Sequence, residues 1–222
     1  MATRLLLDEL CQAHDARQAG PRLGFESIGG VDAAKRVAAG EAFDLVVLGA
    51  DAMAKLLAAG HLRAGSLRPL VISPVAVAVP AGAARPDIST EAALRAAVSA
   101  AASIGYSTGP SGTALLALFE RWGLTAEISP RLVQAPPGVP VGRLVAEGRV
   151  ALGFQQLPEL LHVAGITLLG TLPTEVAILT TFSGGVASTS TQPEAAQAAL
   201  DWLASPATLT AKQRQGMQPG QD

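Results

Sequence analysis

Ser103-Ile104-Gly105-Tyr106-Ser107-Thr108-Gly109-Pro110-Ser111-Gly112-Thr113 leads into Ala114-Leu115-Leu116-Ala117-Leu118-Phe119-Glu120-Arg121-Trp122-Gly123, and this stretch sets the fold class. A short apolar strand over Ser103 to Tyr106 runs through a glycine and hydroxyl turn into a helix. The helix is read from Ala114 to Trp122, with Gly123 as its stop. The first N–H groups of such a helix have no internal partners, and the macrodipole places about half a positive charge there. Serine and threonine add donors, and glycine lets a ligand approach, so the turn is suited to an anion. No lysine follows Gly112, which separates it from the G-x-x-x-x-G-K-[ST] nucleotide loop. A plain loop with Ser111 as N-cap accounts for the same residues and stays open at this point.

Outward from this unit the pattern repeats. Leu23 to Ser27 reads as a strand, Ser27-Ile28-Gly29-Gly30 as a turn and Asp32 to Ala39 as a helix stopped by Gly40. Phe43 to Gly49 is a strand buried on both faces, followed by a helix from Asp51 to Ala59 closed by Gly60. Downstream, Arg131 to Gln134 is a strand, Pro136 to Pro140 a loop, Val141 to Glu147 a helix and Val150 to Gln156 a strand. Thr3 to Ala19 reads as an amphipathic first helix, and Thr90 to Ala102 as an Ala-rich helix capped by Ser89 or Thr90. Leu157 to His162 is a short helix, Ile166 to Leu172 and Ala177 to Val186 are strands, and two helices follow, Pro193 to Ala204 and Pro206 to Gln215. Short β-branched runs alternating with helical spacing define an α/β fold with mainly parallel sheets. Val71 to Val79 is a further apolar run, but Pro74 inside it predicts an edge strand, a bend or a crossover.

Composition narrows the function. The 222 residues are 49% hydrophobic, 15% charged and 4% aromatic, with net charge −2, which excludes disorder and predicts a packed core. That length fits one large domain or two lobes. The 16 basic residues show no cluster and the isoelectric point is near 5.9, so nucleic acid is not the expected partner. The longest apolar stretch, Leu70 to Ala84, is broken by Pro74 and Pro80 and falls short of a membrane span. Met1 to Leu10 carries Asp8 and Glu9 where a secretory leader would continue its apolar region, so it does not read as a signal peptide. The single cysteine, Cys11, sits in the apolar register of the first helix and reads as a small core residue.

Chemistry-bearing clusters are few. Gly109-Pro110-Ser111-Gly112 does not match the G-x-S-x-G nucleophile elbow. His14 and His61 are expected on solvated helix faces or ends, and His162 at the end of a short helix, so no general base and no local zinc pair is expected. Neither metal nor cofactor is called for. Three strand-to-helix turns remain: Ser27 to Gly30, Ser107 to Thr113, and Pro137-Gly138-Val139-Pro140. In open α/β sheets such turns gather at the carboxyl ends of strands, where ligands bind. The strand end Phe154-Gln155-Gln156 adds two amides, one of which faces core or solvent while the other could donate to a ligand.

At these turns a resemblance becomes specific. Ser27-Ile-Gly-Gly-Val-Asp-Ala-Ala-Lys-Arg-Val with Phe43-Asp-Leu-Val-Val-Leu, Ile104-Gly-Tyr-Ser-Thr-Gly-Pro-Ser-Gly-Thr, and Gly138-Val-Pro-Val-Gly with Gly153-Phe-Gln-Gln resemble periplasmic solute-binding proteins of the molybdate-binding type. The closing Leu203-Ala-Ser-Pro-Ala and Gly216-Met-Gln-Pro extend the likeness over nearly the whole chain. The resemblance implies a two-lobed type 2 periplasmic-binding fold with two hinge crossovers. Lobe 1 would take residues 1–77 and 181–222 and lobe 2 residues 78–180, with hinges near 74–80 and 174–182. Relatives open with a strand and a Ser-bearing loop before the first helix, so the usual first strand is expected to be lacking here.

The implied function is capture of a small oxyanion or carboxylate between the lobes by Ser27, Gly29, Gly30, Ser107, Ser111, Gly112, Thr113, Val139 and Gln156. The protein would be a monomer serving an ABC transporter permease, periplasmic if a leader has been removed and cytoplasmic otherwise. Gln156 stands where the molybdate binders carry a tyrosine, and an amide suits a carboxylate as well as a metal oxyanion. A bacterial aconitate isomerase is similar to the same family, which implies as alternative an allylic proton shift on a small polycarboxylate. Such a shift needs a general base, and Glu26, Asp32 and Asp51 are the acids nearest the implied site.

Overall fold

The computed structural model of the chain describes residues 2–18, 20–136 and 138–221. The expectations that fall on Ala19, at the end of the first helix, and on Pro137, in the loop before residue 141, lie outside the described residues. The chain forms two compact units, Met1–Ser73 with Thr181–Asp222, and Pro74–Thr180.

The first unit opens with α1 (Arg4–Ala16), α2 (Gly30–Ala38), strand β1 (Leu45–Gly49) and α3 (Ala50–Ala58). The predicted stops after α2 and α3 are glycines at φ +80° and +79°, Gly40 and Gly60, a conformation that side chains resist. The long strand β2 (Arg68–Pro80) then carries the chain into the second unit. There follow α4 (Glu91–Ala100), β3 (Ile104–Tyr106), α5 (Pro110–Arg121), α6 (Thr125–Ile128), β4 (Leu132–Gln134), α7 (Val141–Ala146), β5 (Leu152–Gln156), α8 (Leu157–Leu160) and β6 (Ile166–Thr171). Strand β7 (Leu179–Val186) returns to the first unit, which ends with α9 (Pro193–Ala204), α10 (Leu209–Arg214) and β8 (Gln218–Pro219).

In the first unit β1 lies antiparallel to β7, Leu45 opposite Val186 and Gly49 opposite Phe182. Strand β7 neighbours β2, which pairs on with β8. In the second unit β4, β3 and β5 are parallel neighbours, while β2 runs antiparallel to both β5 and β6. Parallel pairing therefore holds for β4-β3-β5, and the pairs made by the connecting strands are antiparallel, so the sheets are mixed. Pro74 is inside β2 rather than on an edge. It falls between Ile72, paired with β8, and Val75, the first residue paired with β5, which is the place where the strand changes neighbours.

One predicted strand does not form. Residues 22–29 have no ladder, and among the described residues β1 pairs only with β7. A strand without a neighbour leaves its backbone groups unpaired. The segment is instead pinned from outside: the Asp15 carboxylate accepts the Leu23 N–H at 3.0 Å, and Arg36 donates to Glu26 at 2.7 Å.

Packing explains the glycines of the second unit. A Cβ on Gly105 would come within 2.8 Å of Val150, and one on Gly153 within 2.4 Å of Val145, the latter in α7. Bare backbone at these two paired positions lets α7 settle directly on the sheet. On the opposite face Leu152 and Phe154 join Leu115, Phe119 and Trp122 in the main core, with the rings of Phe119 and Phe154 edge to face at 5.9 Å. Such a pair adds about 0.5–1.5 kcal/mol beyond its area. Thr90 caps α4, its hydroxyl accepting the Ala93 N–H at 3.1 Å.

The first unit buries two unusual polar groups. His14 is 5% exposed, its ring edge-on to Trp202 at 5.2 Å, so the expectation of a solvated His14 is corrected. Leu6, Leu10 and His14 follow one another at four-residue spacing and share the buried stripe of α1. Lys212 is 1% exposed, and among the described residues its ammonium reaches only the Ala204 carbonyl, at 3.5 Å. Burial lowers its pKa to about 8. Cys11 is half-buried, at the margin of the core rather than inside it as expected, and its thiol is pushed up to about 11, chiefly by burial, which keeps it unreactive at neutral pH.

Candidate functional site

In the second unit, the parallel order β4-β3-β5 puts three strand carboxyl ends side by side. Each is followed by one of the segments singled out in the sequence. After β3, Ser107 to Gly109 turn into α5. Gly109 is the N-cap, in extended backbone, and its carbonyl accepts the N–H groups of Gly112 at 3.0 Å and Thr113 at 3.2 Å. Those two amides are thus committed within the helix, and Pro110 has none. The Ser111 N–H has no protein partner among the described residues, which leaves it as the donor that the helix start presents.

The hydroxyls of Ser107 and Ser111 lie 3.2 Å apart, and Ser111 is 6% exposed. Either oxygen can donate to the other, so one proton of the pair remains for a third group. The turn is tight. A Cβ on Gly112 would stand 1.8 Å from the Ser107 carbonyl oxygen, so only glycine fits there. Thr113 is exposed on the next turn.

The end of β5 separates its two amides by the alternation of a strand. Gln155 faces α7, and its Oε1 accepts the Gly142 N–H at 3.1 Å, which caps that short helix. Gln156 falls on the face of Leu152 and Phe154, the face covered by α5. It is 4% exposed, its Nε2 donates to the Thr180 hydroxyl at 2.6 Å, and its Oε1 is buried with no partner among the described residues. Gly153 pairs with Gly105, so Gln156 reaches the level of the Ser107 to Gly109 turn on the neighbouring strand. Of the third turn, Val139 is half-buried and its N–H is taken by the Pro136 carbonyl at 3.0 Å.

In the first unit, Gly29 is the N-cap of α2 and Gly30 its first residue. Neither has a positive φ, and a Cβ on either would meet nothing closer than 3.7 Å. These glycines answer no steric demand of the fold; they leave the first turn of α2 bare. Ser27 is half-buried just before it. The neighbouring carboxylates are engaged or solvated. Glu26 and Glu41 both pair with Arg36, whose hydrogen bonds hold the two acids below the usual carboxylate range. Asp32 and Asp51 are exposed. One partner escaped the sequence altogether and another in part. Thr180 meets Gln156 across 24 residues with no local signal, whereas Gln155 was half visible as one of two amides ending a strand.

Two α/β units joined by paired connecting strands, with hydroxyl and glycine turns at helix starts, define a receptor for a small solute. The chain belongs to the bacterial extracellular solute-binding protein family, whose model matches residues 1–218. A curated relative, an aconitate isomerase of Pseudomonas sp, is 38% identical over 185 residues, which cover 83% of this chain and 70% of that protein. Among solved structures, the periplasmic molybdate-binding protein of Azotobacter vinelandii superposes with a TM-score of 0.78 at 18% identity, covering 97% of this chain and 94% of its own. A periplasmic thiamin binding protein gives 0.71 at 16%, covering 96% and 78%. The type 2 solute-binding fold is therefore shared with proteins named for very different solutes, and the ligand is a property of the site.

Proposed function

We propose that this solute-binding protein takes up a small anion, an oxyanion or carboxylate, at the start of α5, with Ser107, Ser111 and Gln156 as its principal contacts. The observation that carries the reading is the Ser107–Ser111 hydroxyl pair beside a Ser111 N–H with no backbone partner among the described residues, at the positive end of a 12-residue helix. Gly112 keeps the turn tight, Thr113 follows it on α5, and Val139, in the turn after the neighbouring strand β4, is assigned to the same site. Ser27, Gly29 and Gly30 of the first unit offer a second set of contacts of the same kind. Family membership supports delivery to an ABC permease from the periplasm, and the reading takes the protein as a monomer with the chain passages near Pro74 and Thr180 as hinges. No helix among the described residues is long and apolar enough to cross a membrane. A thermal-shift panel of molybdate, tungstate, sulfate, phosphate and small carboxylates tests the reading, since a ligand raises apparent stability by RT ln(1 + [L]/Kd). A folded protein that answers none of them refutes it.

The 38% identical relative favours a second reading, isomerisation of a small polycarboxylate. Incubation with cis- and trans-aconitate followed by chromatography decides it, and an unchanged mixture removes it. Glu26, tied to Arg36, makes a poor base in this setting.

A further inference from the structure

We infer that Gln156 makes this site selective for acids that carry a hydrogen-bond donor, such as hydroxy acids or hydrogenphosphate, over fully ionised anions that carry none. This inference rests on the anion-receptor reading and names the class of anion. Its starting point is an imbalance at one side chain. Gln156 is 4% exposed, one N–H of its Nε2 donates to the Thr180 hydroxyl at 2.6 Å, and Oε1 is buried without a partner among the described residues. A buried carbonyl oxygen left unpaired is unfavourable, and native proteins rarely keep one without a function.

The place of that oxygen matters. Leu152 and Phe154 fix the strand face on which Gln156 falls, and α5 covers that face. The Gly105 to Gly153 pairing puts Gln156 level with the turn that precedes α5. Adjacent strands lie about 4.8 Å apart, so the hydroxyl pair and the Gln156 amide fall within the span of one small molecule. Ser107, Ser111 and the Ser111 N–H supply donors for the charged end of a ligand. Gln156 supplies an acceptor, which only a ligand O–H or N–H satisfies. Succinate, tricarballylate, sulfate and molybdate have no such proton at neutral pH and would set a lone pair against the amide oxygen. Malate, citrate and hydrogenphosphate each bring one. A site built around a polar group rejects the analogue that lacks its partner far more strongly than an apolar pocket rejects a misfit.

The test uses matched pairs on the full chain at pH 7.5: malate against succinate, citrate against tricarballylate, and phosphate against sulfate, by titration calorimetry. The expected result is tighter binding of the donor-bearing member in at least one pair by about 5- to 150-fold, the range set by leaving one buried acceptor unsatisfied. In Gln156→Leu that ratio falls to about 1, while circular dichroism confirms the fold. Should the variant fail to fold, the wild-type ratios alone decide. Equal affinities, or a preference for succinate, tricarballylate or sulfate, would mean that the amide nitrogen faces the ligand. That outcome overturns the inference and leaves the anion-receptor reading standing. If these six compounds, molybdate and tungstate all fail to bind the folded protein, both fall together.

Discussion

Replacing Lys212 by Met should make the protein more stable at neutral pH, and the gain should vanish in alkali. Lys212 is 1% exposed, and among the described residues its ammonium has a single contact, to the Ala204 carbonyl at 3.5 Å. Each tenfold in proton affinity is about 1.4 kcal/mol, so the fall from an ordinary 10.5 to about 8 is roughly 3 kcal/mol by which burial disfavours the charged form. Below pH 8 the lysine is protonated in both folded and unfolded chains, and the whole penalty is present. Between pH 8 and 10.5 the unfolded chain binds the proton and the folded one does not. Stability therefore rises with pH across that window, and by its upper end the penalty is gone. Methionine fills a similar volume without charge and never carries the penalty, as when buried ions are exchanged for apolar groups. At pH 7 the variant should melt roughly 6–12 °C higher, taking about 2–4 °C per kcal/mol for a chain of this size. Thermal melts of both proteins at pH 7, 8, 9 and 10, followed by far-ultraviolet circular dichroism, give the difference free of other titrating groups. A variant no more stable at pH 7 would show that the Ala204 carbonyl satisfies the ammonium, and a gain constant from pH 7 to 10 would show that it comes from packing and not from the removed charge; either result refutes a buried-charge penalty at Lys212.

Other consequences can be checked with single substitutions. Gly112→Ala places a Cβ 1.8 Å from the Ser107 carbonyl, so it should cost about 1–3 kcal/mol and abolish any ligand-induced rise in melting temperature. Gly29→Ala meets no such obstacle, the nearest atom being 3.7 Å away at Asp32; the melt should stay within about 0.5 kcal/mol of wild type, and a lowered ligand response would assign that turn to binding. In Arg36→Ala the carboxyl of Glu26, held low by its hydrogen bond to Arg36, should titrate back in the ordinary range, as seen by carbon-detected nuclear magnetic resonance. The Cys11 thiol, pushed up to about 11, should react with a maleimide at pH 7 far more slowly in the folded protein than in urea.

Much of the second unit was legible because its signals are local. Ser103 to Gly123 contains its own strand, turn and Gly stop, and β3 falls within a residue of that reading, whereas α5 begins at Pro110, four residues ahead of the expected Ala114, because Pro110 suits a first helical position and the Gly109 carbonyl already accepts the Gly112 and Thr113 N–H groups. Leu23 to Ser27 had the composition of a strand, but strands exist in pairs, and no property of the segment could reveal that it has no ladder partner among the described residues. His14 was misplaced through reliance on residue type, although its spacing from Leu6 and Leu10 put it on the buried stripe. At the site, glycine and serine positions were visible, whereas the division of labour between Gln155 and Gln156 was not. It depends on α7 and Thr180 arriving from elsewhere in the chain.

The connectivity of the first unit also orders events during synthesis. Strand β1 pairs only with β7 among the described residues, and β7 belongs to a segment that leaves the ribosome after the whole of Pro74–Thr180. The second unit is contiguous and can fold as soon as it is exposed. The N-terminal residues must meanwhile wait with an unpaired apolar strand, Leu45–Gly49, which is the kind of edge that invites association with other chains. Translation speed and holding chaperones should therefore matter more for the first 73 residues of this protein than for the 107 that follow.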